Sequence, residues 1–308
     1  MVQSGVNFDK HNLGQPSIMP FNNGNSYTLP SHLDGDGRRL NQQHEVFRLI
    51  TSSSLLGKPL PRTFSGSVLD VGTGTGIWAT EFATEHPNCR VLGVDLFPPS
   101  ISPEESTPKN CAFAVADAEK DEEWKAAVPS GSFDLVHTRM FLIQLRDAKS
   151  MLRRILDALK PGGRVEFQEK QDPYRTDDPD PAARDTPLLR HSLQRIEAAK
   201  LCGMDRTIAE KLAAWMEELG YQDVVVEERK IPIGDWMDEP DMKTAGEKFK
   251  ECLEWGTMGI SRTVFMNGFG WNEEQIKENV DGAVKDLGNG QVYAPILFIT
   301  GTKPGKAE

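Results

Sequence analysis

The sequence predicts an α/β fold built on an open, parallel, doubly wound sheet. Short apolar runs and amphipathic helical patterns alternate through the first half of the chain, which is the order that strand–helix–strand units give to a parallel sheet. A glycine-rich turn follows the first apolar run, and Asp95 ends the second. In open sheets this combination forms a nucleoside-binding half at the carboxyl ends of the strands.

The first half of the chain carries most of the predicted sheet. A helical pattern begins near Arg39 and ends at the serine-rich stretch 51–54. Helices are also predicted over 77–85, ending before Pro87, and over 147–159, which a Lys-Pro-Gly-Gly turn at 160–163 terminates. The predicted strands cover residues 67–71, 90–95, 111–115, 133–138 and 165–168.

The second half is predicted to be mainly helical. A proline- and aspartate-rich stretch, 172–181, indicates a loop, and strands are predicted over 224–228 and 292–300. Asn272 begins the last helix with Gln275 at the spacing of a capping box. The predicted helices cover residues 187–201, 207–219, 241–253 and 272–287.

Composition excludes several classes of protein. Acidic residues outnumber basic ones by 46 to 35 and no basic cluster is present, so a nucleic-acid partner is not expected. The four cysteines form no C-x-x-C pair, which argues against a zinc or redox site and fits a cytoplasmic or nuclear location. No signal peptide or membrane-length apolar stretch is visible. We therefore expect an intracellular protein without a metal or a membrane partner.

The glycine turn indicates which nucleoside is bound. A dinucleotide fingerprint reads G-x-G-x-x-G, but here the third glycine, Gly76, comes one residue early and Ile77 takes the dinucleotide position. Asp70 precedes the first glycine by two residues, where a carboxylate repels a pyrophosphate but can hold an ammonium group. The pattern D-x-G-x-G-x-G thus favours a ligand with an amino-acid end and a nucleoside end, as in S-adenosylmethionine (SAM). A flexible loop and a nicotinamide-dependent reductase are the alternatives.

Several blocks together resemble the class I SAM-dependent methyltransferases. The glycine turn, Asp95, the Ala116–Asp117 block and the Lys-Pro-Gly-Gly turn occur in the order of that family. More narrowly, the chain resembles the fungal LaeA-like methyltransferases. The motifs that carry this narrower resemblance are Tyr27-x-Leu29-Pro30, Arg39-Leu40-x-x-Gln43-His44 and a closing Gly301-x-Lys303-Pro304.

The resemblance implies a fold and a domain division. The fold is a Rossmann-like, seven-stranded, doubly wound sheet whose last strand is antiparallel, with a helical lid insertion. The domain covers residues 26–304, with the lid and acceptor region over about 171–222 and 235–288. Residues 1–25, rich in Asn, Gly, Gln and Pro, are expected to form a flexible N-terminal arm.

The resemblance also implies a cofactor site. The methionine end of SAM is expected against the glycine turn, the ribose on Asp95, and the adenine against Leu96, Asp117 and Ala118. Asp117 is alternatively a helix cap. Tyr27 and Arg39, with Gln43, are candidates for closing the arm over the cofactor carboxylate. The expected cofactor-binding residues are Tyr27, Arg39, Asp70, Gly72, Thr73, Gly74, Asp95, Leu96, Asp117, Ala118 and Thr138.

The methyl acceptor is expected beyond the carboxyl ends of the fourth and fifth strands. His137, Arg139 and Glu169 are the candidate catalytic residues there, and His137 has the intrinsic pKa of a general base. His137 is alternatively a structural histidine, and a thiol or amine acceptor needs no protein base. Together these features predict methylation of an O, N or S atom of a small specialised metabolite. A LaeA-like, SAM-binding regulatory protein that acts through protein partners is the alternative.

Overall fold

The computed structural model describes residues 34–61, 63–99 and 107–305 of the 308-residue chain. The predicted N-terminal arm, Tyr27 and the Leu29-Pro30 motif lie outside these ranges. Within them the chain folds as an eight-stranded sheet covered by helices. The strands are β1 Ser67–Val71, β2 Arg90–Asp95, β3 Cys111–Val115, β4 Phe133–Arg139, β5 Leu159–Lys170, β6 Arg175–Thr176, β7 Gln222–Pro232 and β8 Val292–Thr302.

The strand order confirms the predicted parallel sheet with an antiparallel last strand, but the sheet has eight strands instead of the predicted seven because β6 joins it. β3, β2, β1, β4 and β5 lie side by side and are parallel, and β8 follows β5 in the antiparallel direction. β7 pairs with the outer side of β8, again antiparallel, and the two-residue β6 pairs with the start of β8. The last strand is therefore inserted antiparallel between two strands of the opposite direction.

Helices cover both faces of the sheet. α2, with Trp78 and Phe82, packs on one face, while α4, with Met151 and Ile155, packs on the other together with α3 and α6. α1 and the helices α5, α7 and α8, together called the helical layer, extend the first face over β7 and β8. The helices are α1 Asp34–Ile50, α2 Ile77–Glu85, α3 Asp121–Ala127, α4 Ala148–Ala158, α5 Pro187–Leu201, α6 Leu212–Leu219, α7 Pro240–Phe269 and α8 Glu273–Lys285.

Three local predictions need correction, and one short helix was missed. The Lys-Pro-Gly-Gly segment is an irregularity inside β5 rather than a turn that precedes it, with Gly162 at φ +77°. The predicted loop 172–181 contains β6, and α3 was not predicted because it is only 7 residues long. α7 extends to Phe269 instead of ending at Leu253, since Gly256, which is unfavourable in a helix, packs directly on Arg39 of α1.

α7 is 30 residues long but carries charged side chains along its length. Within the described ranges, no helix combines the length and the apolar character that a membrane crossing requires. The helix instead buries one side against α1, α5 and α8. It is the central element of the helical layer.

The capping box of α8 is present as predicted and gives a test of the fold. The Asn272 side chain accepts a hydrogen bond from the Gln275 amide at 2.9 Å, and the Gln275 side chain accepts one from the Asn272 amide at 3.0 Å. Because Asn272→Ala removes the first of these acceptors, we expect it to lower the free energy of unfolding by about 1 kcal/mol. Asn272→Asp keeps an acceptor and should match the wild type in chemical denaturation; equal loss in both variants would contradict the assignment.

Candidate functional site

The glycine turn after β1 is hydrogen-bonded to the end of β2. The amides of Gly72 and Thr73 donate to the Val94 carbonyl at 2.8 and 3.1 Å, and the Gly74 amide donates to the Asp95 carboxylate at 2.8 Å. Burial raises the pKa of Asp95, although these backbone donors oppose the shift. The turn and the carboxylate at the tip of β2 thus form one unit.

Gly72 cannot be replaced by a residue with a side chain without rearrangement. Its φ is +71°, and a Cβ atom at this position would lie 2.5 Å from the ring of Phe141. Phe141 follows β4, so this contact packs the end of β4 on the turn. The glycine therefore allows two neighbouring strand ends to meet.

Asp70 is held from both sides. Thr73 Oγ1 donates to one carboxylate oxygen at 2.6 Å, and His137 Nδ1 lies 2.7 Å from the other. Since the carboxylate only accepts hydrogen bonds, Nδ1 is the protonated nitrogen of His137. The imidazole also stacks on Trp78, with ring centroids 3.8 Å apart and an interplanar angle of 3°. His137 therefore fixes the position of Asp70.

Arg139 is a half-buried cation at the end of β4. It donates from Nη2 to His44 Nδ1 at 2.9 Å, and His44 Nε2 in turn lies 2.9 Å from Glu81. Burial and the neighbouring Arg139 lower the pKa of His44, which favours the neutral ring, and burial lowers the pKa of Arg139 to about 10. Among the described residues no carboxylate lies within ion-pair distance of Arg139.

Two adjoining cavities open at this edge of the sheet. Four residues line both of them: Gly72, Asp95, Phe141 and Gln144. The first is lined further by Val94, Leu96, Ala116, Asp117, Ala118, Glu119 and Leu145. The second is lined further by Leu40, Gln43, Asp70, Thr73, Gly74, Thr75, Ile77, Trp78, His137, Arg139 and Met140.

Most of the residues predicted for the site line these cavities. Three of the described ones do not: Arg39 packs against Gly256 of α7, Thr138 is fully buried on the opposite side of β4 from His137, and Glu169 is fully buried. Gln144, which lines both cavities, was not predicted, because a single polar residue in the apolar run 141–145 carries no motif.

The cavity walls carry the kinds of charged and polar groups that SAM requires. A carboxylate lies at the tip of β2, a cation and a carboxylate lie at the other end, and main-chain groups of a glycine turn lie between them. A methyltransferase domain family matches residues 41–226, which is more than half of the chain. The chain belongs to this methyltransferase family.

This methyltransferase is similar to several fungal proteins. It is 30% identical over 277 residues to Methyltransferase pytC of Aspergillus terreus, covering 89% of this chain and 82% of the relative. It is 28% identical over 272 residues to Protein-methionine methyltransferase laeA of Emericella nidulans, covering 87% and 69%. Among solved structures, the [4+2]-cyclase SpnF shares the fold, with a TM-score of 0.50 and 17% identity over 85% of this chain and 81% of that one. SAM is the cofactor of this family.

Aromatic residues of the predicted lid and acceptor region have ordinary packing partners. Trp236 donates its indole N–H to the Val292 carbonyl at 3.0 Å, and Phe265 is fully buried in a cluster with Trp271. Trp255 is 41% exposed, with the Arg38 guanidinium 4.6 Å from its ring centroid. None of these residues lines the two cavities.

Glu169 holds the segment that follows β4. Its Oε1 atom accepts hydrogen bonds from the amides of Phe141 at 3.0 Å and Leu142 at 2.8 Å. Its Oε2 atom is buried without a partner among the described residues. Burial raises its pKa from 4.5 to about 7, and the backbone donors only partly oppose this. Glu169 thereby positions the turn that carries Phe141 and Gln144.

This geometry predicts a pH dependence of stability. Between pH 4.5 and about 7 the folded protein keeps the Glu169 proton that the unfolded chain has lost, so stability falls as pH rises. Glu169→Gln removes the titration. The free energy of unfolding of the Glu169→Gln variant, relative to that of wild type, should therefore rise by up to about 3 kcal/mol as the pH increases across this range. Urea titrations at pH 4.5, 6 and 7.5 measure this, with the exposed Glu254→Gln as control; a pH-independent difference would contradict it.

Proposed function

We propose that this methyltransferase transfers a methyl group from SAM to an O, N or S atom of a small specialised metabolite. The pair of adjoining cavities supports this most directly, because one end offers groups for a nucleoside and the other offers groups for an amino acid. The name of the relative Secondary metabolism regulator laeA, from Aspergillus flavus, adds the link to specialised metabolism.

The first cavity suits the nucleoside. Asp95 already accepts amide hydrogen bonds from Gly74 and, at 3.3 Å, from Phe97, and its oxygens keep further lone pairs for ribose hydroxyls. Leu96 and Ala118 offer apolar walls for the adenine. Asp117 offers an acceptor for the adenine amino group, although one of its oxygens also accepts from the Glu119 amide.

The second cavity suits the amino-acid end. Asp70, fixed by Thr73 and His137, supplies the negative charge for the ammonium group. Arg139 supplies a cation without a carboxylate partner among the described residues, and we assign it to the cofactor carboxylate in place of Arg39. Gln43 of α1 lines the same cavity as a neutral donor.

Bound SAM supplies a methyl group that its sulfonium already activates. The chain's own residues then have to align the acceptor and exclude water. His137 serves this by positioning Asp70, and Glu169 serves it by holding the turn with Phe141 and Gln144. We therefore propose that both act as positioning residues and that the lid region, about 171–222 and 235–288, holds the acceptor.

The proposed location is intracellular. All four cysteines are free thiols in the structure, which fits a reducing compartment. The acidic composition, with a formal charge of −11, gives no reason to expect a nucleic-acid partner.

The assignment of the two cavity ends predicts a difference between two ligands. S-adenosylhomocysteine carries the amino-acid end, whereas 5′-methylthioadenosine has the same nucleoside without it. Arg139→Met should weaken S-adenosylhomocysteine at least tenfold, about 1.5 kcal/mol or more, and leave 5′-methylthioadenosine unchanged. Asp95→Asn should weaken both. Calorimetric titration measures these affinities, with Arg39→Met as the matched control; a carboxylate role for Arg39 would appear as the reverse result.

Turnover identifies the acceptor. Incubation with SAM and a metabolite extract of the source organism should yield a compound heavier by one methyl group, detected by mass spectrometry. Gly72→Ala, which cannot keep the turn against Phe141, should yield none. SAM binding without any methylated small molecule would favour the second candidate function.

That second candidate is a SAM-binding regulatory protein. Its support is the named relative Secondary metabolism regulator laeA of Monascus pilosus, 29% identical over 272 residues and covering 87% of this chain and 71% of the relative. It predicts a stable complex with a protein partner, recoverable by affinity purification, instead of a methylated metabolite.

A further inference from the structure

A cluster of ionisable side chains lies buried beyond the end of β5. Lys170 is the last residue of the strand and Asp172 follows it, while Arg195 comes from α5 and Arg206 from the segment after α5. Their exposed fractions are 4%, 0%, 3% and 8%, respectively. Neither the glycine turn nor the two cavities involve them.

Asp172 is the shared partner of the three cations. Its Oδ1 atom contacts Lys170 Nζ and lies 3.3 Å from Arg195 Nη2, and its Oδ2 atom accepts from Arg206 Nε at 2.8 Å. The ring of Tyr174 lies under the cluster, with its centroid 4.3 Å from Lys170 Nζ. One carboxylate thus faces three basic groups.

The neighbouring carboxylates have hydrogen-bond or ion-pair partners outside the cluster. Glu210 accepts a hydrogen bond from the side-chain amide of Gln171 at 2.6 Å, and Asp205 pairs with Lys211 at 2.5 Å. Glu169 accepts from the turn after β4. Within the described residues, no other acidic group forms an ion pair with the three cations.

The cluster therefore holds more positive charge than its surroundings balance. Burial and the two arginines lower the pKa of Lys170 well below its ordinary value, and burial lowers that of Arg206 to about 9, so an anion bound beside them would favour their charged forms. Arg195 Nε is buried without a hydrogen-bond partner among the described residues. Because uncompensated buried charge is costly, a bound anion would relieve the imbalance and use the free donor.

The position of the cluster connects it with the cofactor cavities. It lies at the carboxyl edge of the sheet, where doubly wound folds bind their ligands. The turn Leu142–Gln144, whose Gln144 lines both cavities, packs against the turn Ile208–Lys211 that follows Arg206. The other side of the cluster is formed by α5 of the helical layer.

We propose that Lys170, Arg195 and Arg206 form a binding site for a carboxylate group of the methyl acceptor. This rests on the proposed function and narrows it, because the acceptor is then an organic acid. Two guanidinium groups and an ammonium group match the charge of a carboxylate, and the free Arg195 Nε–H can donate a hydrogen bond to it. Asp172 holds the three cations together before the acceptor arrives.

Benzoate, its uncharged analogue benzamide, and chloride test the site. Each is titrated into the wild-type protein with and without S-adenosylhomocysteine, at constant ionic strength. Wild type should bind benzoate at least tenfold more tightly than Lys170→Met does, and benzamide and chloride should not compete. Lys230 is the matched control, since its Nζ lies 4.4 Å from the Tyr293 ring centroid and 2.5 Å from Asp177, but its charge is balanced and partly exposed.

The outcomes separate the two proposals. Equal benzoate binding by wild type and Lys170→Met, or equal binding of benzamide, would overturn the carboxylate site. Lys230→Met should behave as wild type, and Arg206→Gln should repeat the loss if Lys170→Met fails to fold. Failure to bind S-adenosylhomocysteine would count against the proposed function instead. A neutral acceptor found in the extract assay, with a KM that Lys170→Met leaves unchanged, would also overturn the site.

Discussion

The hydrogen bonds between the glycine turn and the end of β2 are the constraint on which the site depends. Parallel pairing places Val71 opposite Val94, so the residues after both strands meet at one edge. Three amides of the turn then donate to the Val94 carbonyl and the Asp95 carboxylate. A shift of one residue in this register would move Asp95 to the other face of β2 and separate it from the turn.

From this fixed turn the remaining contacts follow in sequence. Glycine at position 72 lets Phe141 approach, which brings the end of β4 against the turn. β4 in turn carries His137 to Asp70 and Arg139 to His44. Glu169 near the end of β5 then holds the segment after β4 by accepting hydrogen bonds from its backbone amides. Asp70 and Glu169 thus accept hydrogen bonds from groups one strand away, and each strand end positions the next.

Charge is distributed very differently inside the protein and over the whole chain. The formal net charge is −11, yet the end of β5 buries three basic side chains around one carboxylate, Asp172. Net charge describes solubility and long-range attraction, whereas a site is defined by its local balance. The acidic composition therefore gives no information on the charge of the acceptor.

The sequence predicted the periodic elements well and the long-range contacts poorly. β1, β2, β3, α2 and α5 begin and end where expected, because apolar runs, proline and glycine mark their ends locally. The full length of α7 was missed, since tertiary packing of Gly256 on Arg39 overrides a local helix penalty. The cation cluster was missed for a related reason: Lys170, Arg195 and Arg206 are far apart in sequence and carry no motif. Asp172, expected in a loop, is fully buried.

The fold alone does not determine the substrate or the reaction, as the fold shared with a [4+2]-cyclase illustrates. Selection of the acceptor has to come from residues other than the glycine turn and Asp95, which we assign to the cofactor. α1 links the cofactor cavity with α7. Its Gln43 lines the second cavity, and its Gln42 side chain donates a hydrogen bond to the Lys248 carbonyl of α7 at 2.9 Å. A substitution in α7 that changes acceptor binding is therefore expected to change the cofactor cavity as well. Acceptor choice and cofactor binding should be coupled through this helix.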